Sequence, residues 1–505
     1  MFIDRFLFPL ALGIVSGFVA MMANVADANE SLYHEHCASC HGANRLGGMG
    51  PALLPENLAR LKRTDAEKSI SQGRVATQMP AFQDKLNPEQ IQTLLSFIYT
   101  SPEQMPEMAL PQIQASHVVH NSIENLPNKP VFEADPLNLF LVVEMGDHHA
   151  TILDGDKLEP IFRFPTRFAL HGGPKYSPDG RFVYLASRDG WVSKFDLYNL
   201  KYVAEIRVGI NTRNIAVSAD GKTVIAANYL PRTLVLLDAI DLKPLQLIDA
   251  KDEQGNTSRV SAVYTAPPRN SFIVAFKDIS EVWEIPYNNQ ETSSDKKQFP
   301  VRKMRLETVL DDFFFDPSYQ HLIGAAREGN QGQVVNLVVG RKVADIEIPG
   351  MPHLGSGINW TFEDKTILAT PNLKENVISF ISLGDWKVFK KLETAGAGFF
   401  MRSHQNSRYA WVDAMLSKNK DKIHVIDKQT LEIAKTLQPS IGKTAAHVEF
   451  DRYGKYVLLS IAEMDGALVI YDANTLEEIK RLPMKKPSGK YNVYNKINYE
   501  SGTSH

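Results

Sequence analysis

The sequence predicts two fold classes in one chain: a small all-α domain, then an all-β eight-bladed propeller. Three observations lead there. A chain of 505 residues is too long for one compact core of ordinary size. Residues 37–41 read Cys-Ala-Ser-Cys-His, and a helix-patterned stretch follows from Ile91 to Tyr99. From about residue 131 onward, a turn–strand–turn–strand pattern returns eight times.

Composition suits a soluble globular protein, with 44% hydrophobic residues, 22% charged residues and a net charge of −3. That balance predicts no nucleic-acid partner, which would want a basic face. Basic clusters such as Lys480-Arg481 and Lys485-Lys486 are short and read as solvated surface. The N-terminus stands apart. After Asp4-Arg5 comes an apolar run from Phe6 to Ala23, then Ala26-Asp27-Ala28 as an A-x-A exit. This reads as a signal peptide over residues 1–28, cleaved after Ala28, and predicts a periplasmic protein. A retained anchor is the competing reading, since about 18 apolar residues lie near the lower limit of a span. Gly13, Ser16 and Gly17 interrupt the run.

The chain has two cysteines, Cys37 and Cys40, followed by His41. C-x-x-C-H is the attachment sequence of a covalent c-type haem. The thiols add to the vinyl groups, and His41 supplies an axial ligand from the same turn. A zinc site would need further ligands, and no third Cys exists. A redox disulfide would want a flanking βαβ pattern, which is absent. Downstream come Gly50-Pro-Ala-Leu53, then Gln78-Met-Pro-Ala-Phe82, then Leu86-Asn-Pro-Glu-Gln90. Asn87 and Pro88 suit the cap and first position of a closing helix. This order resembles a class I cytochrome c, over residues 29–100. The resemblance makes Met79 the second axial ligand of the haem c iron, with Met49 as the weaker candidate. Two filled axial positions favour electron transfer over ligand chemistry.

Residues 101–130 hold Pro102, Pro106, Pro111, Pro127 and Pro130 and read as an interdomain linker. His117 and His120 lie in it, and a solvated setting is expected for them rather than a metal. The repeats then occupy 131–505. The clearest begin Ser177-Pro-Asp-Gly and Ser218-Ala-Asp-Gly, with weaker copies from Asp135, Pro267, Asp316, Phe362, His404 and Asp451. The starts lie 41 to 49 residues apart, the length of a propeller blade. One blade cannot bury both faces alone, so eight must close a ring. The stretch from Tyr491 to Ile497 is expected to help close it.

Three of the 14 histidines precede repeats: His171, His353 and His447. Equivalent positions on different blades share one rim, so the three are expected to converge on a central cavity. Gly172, Gly173, Gly355 and Gly357 would let a flat ligand come close. A single histidine of this kind is commonly structural; three at like phase favour a cofactor pocket.

The whole mature chain resembles the cytochrome cd1 nitrite reductase family. The likeness is carried by Phe168-Ala-Leu-His171, Ser187-Arg-Asp-Gly190, Pro352-His-Leu-Gly-Ser-Gly357, Ser403-His-Gln-Asn-Ser-Arg-Tyr409 and Gly489-Lys-Tyr-Asn-Val-Tyr-Asn495. It implies haem d1 in the propeller, with His171 as proximal iron ligand and His353 on the distal side. It also implies that Arg188 and Arg213 hold the macrocycle's carboxylates, a pairing for which the Arg fork is suited.

The sequence departs from the reductases where these use a second distal histidine to protonate nitrite. The corresponding stretch has Asp311, and a carboxylate at neutral pH is a poor proton donor. In the His353 loop, Ser356 replaces an arginine. These departures resemble instead the dihydro-haem d1 dehydrogenases of haem d1 assembly. That likeness implies oxidation of a propionate side chain of the dihydro-haem d1 precursor to acrylate, with electrons passed to the c-haem. His447 and Tyr491 become the proton-handling candidates, with Tyr494 as the alternative to Tyr491. Expected partners are the tetrapyrrole substrate, a soluble electron acceptor, and nitrite reductase or other haem d1 assembly proteins. A nitrite reductase and a non-catalytic haem d1 carrier are the competing functions.

Overall fold

The computed structural model describes residues 30–58, 61–74, 77–104, 106–170, 172–287, 299–325, 331–348 and 350–498. The expected leader, 1–28, and His171 lie outside the described residues. Among the described residues, no helix is long and apolar enough to cross a membrane. The chain forms two compact units, one of residues up to 74 with 79–106, the other of 75–78 with 107 onward.

The first unit is helical. Residues 30–36 are helical, followed by Ala38–His41, Pro55–Leu58, Arg63–Gln72 and Pro88–Ile98. The last helix starts where the sequence puts it. Asn87 accepts from the Gln90 N–H and Gln90 reaches back to the Asn87 N–H, both at 2.9 Å, with Pro88 at the first position. Such a cap contributes about 1 kcal/mol. Ile91, Leu94, Leu95 and Ile98 repeat at helical spacing and bury one face against Tyr33, Leu58, Ala66 and Ile70. Each such side chain contributes roughly 1.5–3 kcal/mol on burial.

The second unit is a ring of eight sheets. Blade 1 holds Leu139–Glu144, His149–Asp154 and Glu159–Pro165. Its innermost strand comes from the other end of the chain, Pro487–Asn492, paired antiparallel with Leu141 opposite Tyr491. The expected closure is therefore present. The innermost strands of blades 2 to 8 are Lys175–Tyr176, Asn211–Val217, Val260–Ala266, Asp312–Phe315, Ile358–Phe362, Met401–Arg402 and Ala445–Phe450. In each of blades 2 to 8, the turn read as a repeat start joins the innermost strand to the next. In Ser177-Pro-Asp-Gly, the Ser177 hydroxyl donates to Asp179 and accepts from the Phe182 N–H, while Gly180 takes φ +74°.

Each blade presents alternate residues to opposite neighbours, the period of a strand. Leu139 and Leu141 pack toward blade 2, and Phe140 and Val142 pack toward blade 8. Every junction between adjacent blades holds one apolar cluster, and eight clusters close the circle. That is why the strands read as continuous apolar runs.

The stretch read as linker is structured from residue 107. Leu110–Ala115 is helical, Ile113 is fully buried against blades 2 and 3, and Val118–Val119 adds a fifth strand to blade 2. His117 is half-buried, its Nε2 2.7 Å from the Asp241 carbonyl, while His120 is exposed and lies 3.0 Å from Glu205.

Candidate functional site

The first site is short-range. Cys37 and Cys40 are free thiols, half-buried, at the start of the turn that carries His41. Burial, with Cys40 beside it, pushes the Cys37 thiol up to about 11. His41 is buried, and its Nδ1 donates to the Pro51 carbonyl at 2.7 Å. That bond fixes the ring and leaves Nε2 for a metal, the usual arrangement of a ligating histidine. Burial lowers the His41 pKa, with the Pro51 bond opposing. Gly50 must be glycine, because a Cβ there would stand 2.5 Å from the His41 ring. Met79 packs against the same core. Arg45 ties the loop to the closing helix through the Phe97 and Thr100 carbonyls, at 2.6 and 2.8 Å. Two thiols, one oriented imidazole and a thioether fit a covalently attached haem c.

The second site is built from the innermost strands and the loops that lead into them. His353 sits in the loop before Ile358–Phe362. Its Nδ1 donates to the Phe399 carbonyl at 2.6 Å, and its ring lies 4.1 Å from that of Phe399. Burial lowers its pKa, with Asp312 and the Phe399 bond opposing. His447 sits on the innermost strand of blade 8 rather than before it. His353 and His447 are therefore not at one phase of the repeat, as the sequence had suggested. His353 and His447 nevertheless approach one another through Phe399 and Phe400. The Phe400 ring is 4.5 Å from His447, and Tyr491 meets His447 edge-on at 4.9 Å. Tyr494 points elsewhere, under the guanidinium of Arg452 at 4.9 Å. Tyr491, and not Tyr494, is thus the tyrosine that meets His447.

The backbone just after His171 is closely packed. Gly172 and Gly173 take φ +79° and +69°. A Cβ at Gly172 would meet Asn214 and the Arg213 carbonyl, and one at Gly173 would meet the Tyr491 ring at 3.1 Å. The loop thus runs between Arg213 and Tyr491. Arg213 donates through Nε to the Ser261 carbonyl at 3.2 Å. Burial pushes the Tyr229 phenol up, but Arg213, Lys277 and Arg188 outweigh it, and the net shift is down. Arg188, Arg213 and Lys277 thus all act on Tyr229.

Asp311 is the residue that the resemblance sets where the nitrite reductases have a second distal histidine. It is buried and ion-paired with Lys277. Its neighbour Asp312 is the carboxylate that reaches the His353 loop: Oδ2 accepts from the Gly355 N–H at 2.7 Å and lies 3.9 Å from His353 Nε2, while Oδ1 accepts from Tyr264 at 3.1 Å.

Sequence reasoning missed the charges around His447. Lys175, Arg402, Lys490 and Lys496 stand here against Glu449 and Asp413. Arg402 is 4% exposed, yet one nitrogen donates to the Met401 carbonyl and its Nε has no partner. Glu449 Oε2 lies 4.0 Å from Lys496 Nζ, too far for a hydrogen bond. Burial, with Arg402 adding repulsion, lowers Lys175 to about 8 and Lys496 to about 7. Lys490 is pushed far down by burial, although Glu449 and Asp413 oppose the shift. His447 is held well below its usual value by burial and then by Lys490, Arg402 and Lys496. Its Nε2 has no partner, and the Lys490 N–H faces Nδ1 at 3.5 Å, the outer limit of a hydrogen bond. Burial pushes Tyr491 up to about 12. A signal for these groups was present, since a charged residue in an innermost strand interrupts an apolar run. A surplus of basic groups, with the Arg402 Nε unpartnered, suits a ligand with several carboxylates.

Comparison with known proteins agrees. The family model for the cytochrome d1 haem domain matches residues 134–496. That for cytochrome c oxidase, cbb3-type, subunit III matches 24–98. The dihydro-heme d1 dehydrogenase of Pseudomonas aeruginosa is 56% identical over 499 residues, covering 99% of this chain and 100% of that one. The solved structure of dihydro-heme d1 dehydrogenase NirN in complex with DHE superposes with a TM-score of 0.83, covering 93% of this chain and 100% of that one. A nitrite reductase of Stutzerimonas stutzeri is 26% identical, over 95% of this chain and 94% of its own. With its propeller and channel matched end to end in this way, the chain belongs to the cytochrome d1 haem-domain family, in the form that carries a cytochrome c domain ahead of the propeller.

Proposed function

We propose that this protein oxidises a propionate side chain of dihydro-haem d1 to the acrylate and passes the electrons to its own c-type haem. One observation carries the reading. A buried, neutral imidazole with an unpartnered nitrogen stands beside a protonated phenol, among surplus basic groups, in a chain 56% identical to a dihydro-heme d1 dehydrogenase.

The side chain –CH2–CH2–COO⁻ becomes –CH=CH–COO⁻ with loss of two protons and two electrons. Of the two protons, His447 takes one from a side-chain carbon at Nε2 and the other leaves to water. In the free protein the basicity of His447 is suppressed by burial and by Lys490, Arg402 and Lys496. Substrate carboxylates against those cations remove part of the suppression, so binding strengthens the base. Tyr491 keeps its proton at neutral pH and orients the side chain by donating a hydrogen bond. Arg188 and Arg213 hold carboxylates. His171 and His353 would hold the tetrapyrrole iron. Cys37, Cys40, His41 and Met79 would hold the c-type haem, which would supply a one-electron acceptor. A soluble acceptor then takes the electrons on, in the periplasm that the N-terminal run suggests.

Nitrite reduction is less well supported, since the identity to that relative is 26% and Asp311 is committed to Lys277. Anaerobic mixing with dihydro-haem d1 tests the reading. Conversion of the tetrapyrrole spectrum with reduction of haem c is expected; binding with an unchanged spectrum would make the protein a carrier. His447→Ala is expected to bind substrate within a few-fold of wild type and to convert it about 10²- to 10⁴-fold more slowly.

A further inference from the structure

Asp413 ends the second strand of blade 7, Tyr409–Asp413, and is 1% exposed. Its carboxylate is spent on backbone N–H groups. Oδ1 accepts from Phe399 at 2.7 Å, and Oδ2 accepts from Phe400 at 3.2 Å and from His447 at 3.3 Å. These donors belong to the two segments that carry or hold both channel histidines. The Phe399 carbonyl is the acceptor of His353 Nδ1, and the Phe400 ring packs on His447.

The bond to His447 answers a specific need. Strand register jumps from Ala446 opposite Ser460 to Val448 opposite Leu459, so His447 is the extra residue of a bulge. Its φ is +52°, a conformation rare for a side chain of this size. A bulge frees an N–H from the ladder, and a buried free N–H needs an acceptor. Asp413 is that acceptor. The plainer account is a carboxylate that merely caps the 399–400 turn. That account leaves out the bond to His447, which reaches into the next blade across 34 residues of sequence.

We infer that Asp413 is a positioning residue that fixes His353 and His447 in one relative geometry. It does so by tying the 399–400 segment and the His447 bulge to a single carboxylate. Asp413 acts through its neighbours' backbone and has no role in the chemistry itself. The consequence for turnover rests on the proposed function; the geometric lock does not.

The test is Asp413→Asn in the full-length, haem-loaded protein. The amide keeps the shape but offers N–H where a backbone N–H must be accepted. Three readouts are taken: the dissociation constant for dihydro-haem d1 by absorbance titration, the single-turnover conversion rate, and a crystal structure of the variant. The expected result is a rate at least about tenfold lower, a dissociation constant within threefold of wild type, and a His447 that has left its positive φ. Asp427→Asn is the control. That carboxylate lies in the same blade, is paired with Arg408, and belongs to no channel group, so it should leave the rate unchanged. Should Asp413→Asn be too unstable to purify, Asp413→Glu replaces it, with the same split between rate and binding expected. An unchanged rate, or a rate loss matched by an equal loss of binding, overturns the turnover role. An unchanged His447 backbone and His353–Phe399 bond overturn the lock itself. A wild type that binds but does not convert overturns the proposed function instead, and the crystal structure still decides the lock.

Discussion

The two units hold their ligand groups in opposite ways. In the helical unit, both thiols and one axial histidine come from five consecutive residues, and one carbonyl, Pro51, orients the imidazole. In the propeller, the channel groups run from Lys175 to Lys496 and come from almost every blade. The first arrangement needs a turn of helix. The second exists only when the ring is closed, because Lys490, Tyr491 and Lys496 belong to or follow the strand that closes it. One site is a motif; the other is a property of the whole ring.

The sharpest way to break that comparison is to leave the ring open. Truncation before Pro487 removes the innermost strand of blade 1 and uncovers the apolar faces around Leu139 and Leu141. The expected outcome is complete loss of tetrapyrrole binding, with a haem c absorption spectrum that survives. Retained tetrapyrrole binding would mean that the channel does not depend on closure.

The same contrast explains what was legible in the sequence. The C-x-x-C-H residues, the Asn87 cap and the repeat turns each rest on contacts within a few residues, so spacing alone reveals them, whereas Met79 came from the resemblance. The eightfold count followed from the turns, because each blade must bury two faces. The channel is harder to read. Asp311 and Asp312 are neighbours, and strand period two sends their side chains to different surroundings. Shifting the assignment by one residue exchanges a structural ion pair for a site carboxylate. The bulge at His447 leaves no mark in Thr-Ala-Ala-His-Val-Glu-Phe, since nothing local demands it. Asp413 acquires its role only from a chain segment 34 residues away.

A milder test stays inside the closed ring. Arg402 is buried with its Nε unpartnered, whereas Arg45 in the helical unit spends its charge on two carbonyls. Arg402 should therefore belong to the ligand and Arg45 to the fold. Arg402→Met removes the charge but keeps much of the volume. It is expected to weaken dihydro-haem d1 binding roughly 10- to 100-fold, the worth of one hydrogen bond to a charged group, and to leave the melting temperature near wild type. A fall in melting temperature with unchanged binding would reverse that division.

The smallest effect is in pH, and its sign separates the two sites. In the free propeller, Lys496 lies at about 7 and Lys175 at about 8, both lowered by burial and by Arg402. An anionic ligand raises them again, because it favours their charged forms. Binding therefore takes up protons, and affinity falls as pH rises from 6 to 9. Each group whose value the ligand raises by one unit contributes up to about tenfold, so a loss of about 3- to 10-fold is expected. Retention of the haem c is expected to show no such dependence in this range, because C-x-x-C-H attaches it covalently. Titrations of dihydro-haem d1 at pH 6, 7, 8 and 9, in one protein, read both at once. Affinity that rises with pH, or that stays flat, would mean that the cations of the channel are not what holds the substrate.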